Sequence, residues 1–158
     1  MQNIIIVGDS GVGKSSFLLR LKTNEFYESY MSTISKEMHK IDNYIIHDTS
    51  GNGRFEYLFE NYYKHANGAI VFYSDNVDSV ASWIDKLKKA NSELPIIIVA
   101  SKRDIIKDKI PAFEYPCVEI SSKDGNINKV METIIPLLTE VKISPDSWYD
   151  YFFPCCVQ

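Results

Sequence analysis

A chain of 158 residues with 45% hydrophobic content fits one core of ordinary domain size, and a net charge of −4 is too small for a disordered polymer. With 17 basic against 21 acidic residues, a general nucleic-acid-binding surface is excluded. Apolar runs such as residues 4–7 and 96–100 fall far short of the ~20 residues that cross a bilayer, and residues 1–7 carry no leader, so a cytoplasmic chain is expected.

In chain order, Ile4-Ile5-Ile6-Val7 is short and β-branched and predicts a buried strand. Gly8 and Gly11 break it, and residues 14–21 predict a helix. Residues 36–41 and 44–48, joined by Asp42-Asn43, predict a hairpin. Ala69-Ile70-Val71-Phe72 and Ile96-Ile97-Ile98-Val99 predict two more buried strands, and residues 117–120 a further one. Val77, Val80, Ile84 and Leu87 have helical spacing, and Trp83 beside them reads as core packing. Ile127, Val130, Met131, Ile134, Ile135 and Leu138 form a last apolar stripe, which Pro136 should kink or shorten. Strands alternating with helices predict one α/β domain with a parallel sheet covered on both faces. His39, His47 and His65 lack metal-ligand spacing and read as surface or satisfied residues.

Gly8-Asp9-Ser10-Gly11-Val12-Gly13-Lys14-Ser15 fits the phosphate-loop pattern G-x-x-x-x-G-K-[ST] in its required setting of strand, loop and helix. Glycines let the backbone curl until successive N–H groups face phosphate oxygens, and the following helix presents its unpaired N–H groups to the same anion. Lys14 would reach the β- and γ-phosphates and Ser15 would ligate Mg²⁺. Ser101-Lys102-Arg103-Asp104 follows the strand ending at residue 100, where an open α/β sheet carries its ligand loops. The Asp104 carboxylate can accept from the N1–H and exocyclic amine of guanine, a donor pair that adenine lacks. Ser121-Ser122-Lys123 can approach the same base.

These motifs resemble, in their order, those of the Ras superfamily of small GTPases and, within it, the Rab family. The resemblance runs from Asn3 to about Leu138 and returns at the last four residues. It implies a P-loop small G domain over residues 1–141: a mostly parallel six-stranded sheet with helices on both faces, one hairpin, and a shortened or missing helix between Asp104 and Glu119. It implies that Asp9, Ser10, Gly11, Val12, Gly13, Lys14, Ser15 and Ser16 hold the phosphates, and that Phe26 lies against guanine. Tyr30 would cover the phosphates, and Thr33 would join Ser15 on Mg²⁺, with Asp48 acting through water. Asp48-Thr49-Ser50-Gly51 is similar to the family's D-x-x-G motif, implying that the Gly51 N–H meets the γ-phosphate. Exchange factor, GTPase-activating protein and effectors would read residues about 30–66 of a monomer. GTP with Mg²⁺ would order both switch segments through Thr33 and Gly51, and hydrolysis to GDP would release them.

Several positions depart from the family. Asn52 stands at the glutamine that orients the attacking water, one methylene short, which predicts slow hydrolysis and leaves open a GTP-locked module that engages or sequesters Rab partners. Ser101 replaces the asparagine of N-K-x-D and predicts a weaker grip on guanine. His47 stands at a family tryptophan, and the segment between Thr33 and Asp48 is clipped. A P-loop kinase or ATPase would need a second substrate site, which the sequence does not supply.

Residues 142–158 form a short tail, aromatic and acidic in Trp148-Tyr149-Asp150-Tyr151-Phe152-Phe153. Its Cys155-Cys156-Val157-Gln158 ending resembles the Rab C-C-x-x signal, with both cysteines geranylgeranylated, and also fits C-a-a-X with Cys155 farnesylated. Either implies prenylation machinery as a partner and attachment to the cytoplasmic face of a membrane. The aromatic cluster would then supply a second anchoring signal or pack back onto the domain.

Overall fold

The computed structural model describes residues 1–27, 37–49 and 60–138. Its elements are β1 (Gln2–Gly8), α1 (Lys14–Thr23), β2 (Glu37–Ile41), β3 (Tyr44–Asp48), α2 (Glu60–His65), β4 (Gly68–Tyr73), α3 (Asp78–Ala90), β5 (Ile96–Ala100), β6 (Cys117–Glu119) and α4 (Asn128–Leu138). The sheet has the order β2-β3-β1-β4-β5-β6, antiparallel between β2 and β3 and parallel elsewhere. Ile4 pairs with Ile46 on one side and Gly68 on the other, which makes β1 the spine of the fold.

Alternation along β1 builds two cores. Ile4 and Ile6 face Phe17 and Leu18 of α1 and Val130, Ile134 and Leu138 of α4. Ile5 and Val7 face Tyr63 of α2 and Val80, Trp83 and Leu87 of α3. Each strand of a parallel sheet needs apolar residues on both faces, which explains the unbroken Ile/Val runs. Burial of this kind contributes about 25 cal/mol per Å² of apolar area.

The structure refines several sequence expectations. The first helix reaches Thr23, and within the described residues the hairpin's first strand starts at Glu37, with Asp42 left-handed in its turn (φ 50°). Val77 does not join the apolar face of α3; it precedes the helix and is 36% exposed. Pro136 does not end α4, which continues to Leu138. Proline removes one N–H bond, but the stripe Val130, Met131, Ile134 and Leu138 stays buried on both sides of it. Between Asp104 and Glu119 there is no helix: a single turn donates from Ile105 and Ile106 to the Lys102 carbonyl, and irregular chain follows. Phe113 and Tyr115 of that chain pack on the α3-side core, with Phe113 edge-on to Tyr73.

Candidate nucleotide site

The site is built at the C-terminal ends of β1, β3 and β5. β1 ends at Gly8, where φ is 141° and a Cβ would lie 2.2 Å from the Phe72 carbonyl oxygen, so only glycine lets the chain turn this close to β4. The loop re-enters a helix through Gly13, left-handed at φ 98°. Among the described residues Gly13 offers α1 no side-chain cap and no acidic residue occupies its first turn, so the positive end of the helix dipole faces the loop uncompensated there. Lys14 is only 6% exposed, and its ammonium donates to the carbonyls of Gly8 and Asp9, both at 2.8 Å. Burial pushes its pKa down to about 8, against the opposing pull of the Asp48 and Asp9 charges.

Ser15 and Asp48, expected to share a metal, lie together: Ser15 Oγ donates to Asp48 Oδ2 at 2.5 Å. Asp48 is 1% exposed, and burial raises its carboxyl above the usual range despite the Ser15 bond and the Lys14 charge. Its other oxygen, Oδ1, is buried with no hydrogen-bond partner among the described residues. An orphaned carboxylate oxygen beside a hydroxyl is a hard-oxygen donor set, and it fits Mg²⁺. Thr49 secures this corner by donating from Oγ1 to the Ile6 carbonyl at 2.7 Å.

Ser101 is 2% exposed at the end of β5, with Oγ 2.5 Å from the Val12 carbonyl and 2.8 Å from that of Tyr73. One hydroxyl therefore ties the base loop to the phosphate loop, and that use occupies its only proton. Lys102 next to it is left-handed (φ 56°). Asp104 Oδ1 accepts from Ser121 Oγ at 2.9 Å, which in turn accepts from the Asp124 N–H at 3.0 Å. Arg103 N–H donates to the Ile120 carbonyl at 3.1 Å. The loops after β5 and β6 are thus laced together, and the Asp104 carboxylate is held in place by them.

Of the remaining expected site residues, Ser10 and Gly11 are on the exposed rim, Ser16, Phe26 and Ser122 are half-buried, and Lys123 is exposed. Tyr30, Thr33, Gly51, Asn52, Cys155 and Cys156 lie outside the described residues. His47 is a core residue, 3% exposed, with its Nε2 3.0 Å from Asn3 Oδ1 and its ring packed against that of Tyr62. Sequence reasoning missed Thr49, Asn76 and the polar role of Trp83, whose Nε1 donates to Asp9 Oδ1 at 2.9 Å. The signal for Trp83 was present: a tryptophan on a buried helix face must place its N–H somewhere.

Comparison with known proteins agrees with this geometry. The Ras family profile matches residues 3–136. Ras-related protein Rab-1 of Theileria annulata is 32% identical over 164 residues, covering 87% of this chain and 74% of the relative. Ras-related protein Rab-1C of Dictyostelium discoideum is also 32% identical over 164 residues, at 89% and 81% coverage. Ras-related protein RIC1 of Oryza sativa subsp. japonica is 30% identical over 155 residues, at 83% and 77%.

Proposed function

The chain belongs to the Ras family, and from that premise we propose that it is a Rab-like switch that binds GTP with Mg²⁺, hydrolyses it slowly to GDP, and acts in membrane trafficking. The observation that carries the reading is the convergence of Lys14, Ser15 and the orphaned Asp48 oxygen at the mouth of the phosphate loop. Ser15 and Thr33 would ligate the metal, with Asp48 holding it through water. Mg²⁺ held there would supply positive charge to the phosphate oxygens. Lys14 places a second positive charge there, the N–H groups of residues 9–16 orient the chain of phosphates, and Asp104 selects guanine.

Residues 1–141 would form the switch, with exchange factor, GTPase-activating protein and effectors meeting residues about 30–66. Prenyl groups on Cys155 and Cys156 would attach the domain to a cytoplasmic membrane face. Asn52 at the family's glutamine position supports slow turnover, and the same residue favours the second reading, a GTP-locked module that engages Rab partners.

Single-turnover hydrolysis by the unsubstituted protein and by the Asn52→Gln variant tests the proposal. We expect measurable hydrolysis by the former and a rate about tenfold or more higher in the variant, as one well-placed water-orienting group provides. No hydrolysis without the substitution, with or without an added activating protein, would favour the locked module.

A further inference from the structure

Trp83 lies midway along α3, outside every motif assigned to nucleotide binding, and is 6% exposed. Its indole N–H reaches 74 positions back along the chain to Asp9 Oδ1, while Asn76 Nδ2 donates to Asp9 Oδ2 at 3.4 Å. Lys86 Nζ stands 4.5 Å from the ring centroid. Asp9 is also the residue whose backbone carbonyl holds the Lys14 ammonium at 2.8 Å. One residue of the phosphate loop therefore faces the catalytic lysine with its main chain and α3 with its side chain.

We infer that Trp83 is a positioning residue for the phosphate loop, acting through Asp9. Fixing the carboxylate fixes the rotation of the adjoining peptide, and with it the carbonyl on Lys14 and the N–H groups that follow. The same bond keeps a negative side chain turned towards α3, away from where the phosphates must sit. Released, that carboxylate would be a like charge beside the ligand. The inference rests on the nucleotide reading of the site.

The test compares dissociation of a fluorescent guanosine diphosphate from the unsubstituted protein, Trp83→Phe, Asp9→Ala, their double variant and Val80→Ala, with the unfolding temperature of each. Phe keeps an aromatic ring in the core while removing the donor together with the pyrrole part of the indole; Val80→Ala, which opens a cavity in the same helix without touching the loop, controls for that lost volume. Loss of a hydrogen bond to a charged group predicts about tenfold faster release from Trp83→Phe. The double variant should release no faster than the faster single one, and Val80→Ala should release at the unsubstituted rate despite melting lower. Release from Trp83→Phe at the unsubstituted rate would overturn the inference. So would rates that follow unfolding temperature across Trp83→Phe and Val80→Ala alike, since Trp83 would then be packing only. Failure of the unsubstituted protein to bind the probe would instead overturn the nucleotide reading, and this inference with it.

Discussion

At the scale of single residues, the site holds its charges at a disadvantage. Lys14 titrates near 8 because burial outweighs the two carboxylates beside it. Phosphate oxygens favour its charged form, so binding takes up a proton once the pH exceeds about 8. Affinity for GTP should therefore fall as the pH rises from 8 to 9.5, and equilibrium titration in that range would reveal it; a flat profile would mean that Lys14 stays charged without ligand. Ser101→Ala strips two backbone carbonyls of a buried hydroxyl and should destabilise the fold by about 1–3 kcal/mol, read as a lower denaturation midpoint. It should also loosen nucleotide, because the Val12 tie is lost. The motif string singled out Lys14, Ser15, Asp48 and Asp104 as candidates, since phosphate and metal chemistry restrict residue type and spacing, and the structure sets them on the loops at the strand ends. It did not disclose the second use of Asp9, because a contact to α3 leaves no mark on the loop's own pattern.

At the scale of elements, strands were legible because a parallel sheet buried on both faces demands continuous apolar runs, as residues 4–7 and 96–100 show. Helix ends were less legible: Val77 fits the period of α3 yet lies outside it, and Pro136 lies within α4. Packing against the sheet decided both. The contact of α4 with β4 is close enough to test. A Cβ on Gly68 would lie 2.4 Å from Leu138 Cδ2 and 3.3 Å from Ile134 Cδ1. Gly68→Ala should destabilise by about 1–3 kcal/mol through overpacking. Combined with Leu138→Ala, it should cost less than the sum of the two, because the truncated leucine vacates the space. Strict additivity in chemical denaturation would contradict the packing described.

At the scale of the whole molecule, the buried charges of the candidate site are a cost to the chain on its own. Lys14 has a lowered pKa, so the unfolded chain holds that proton more tightly, and stability without nucleotide rises as pH climbs from about 8 towards 10.5. Asp48 has a raised pKa, so its ionised form is a penalty that protonation relieves as the pH falls. Both penalties stand at neutral pH, where Mg²⁺ and phosphate would offset them. GTP with Mg²⁺ at about a hundred times its dissociation constant should add about 2.7 kcal/mol, and chelation of the metal should remove most of the resulting rise in melting temperature. Equal melting with and without chelator would contradict a metal role for Asp48.

The most direct test of the central claim is the nucleotide carried by the freshly purified protein, released by denaturation and separated chromatographically, for the unsubstituted chain and Asp104→Ala. A guanine-nucleotide switch with slow hydrolysis predicts near-stoichiometric guanine nucleotide, mainly GTP, and its loss from the Asp104→Ala variant. Adenine nucleotide, or an empty site that takes up no GTP when Mg²⁺ is supplied, would contradict it.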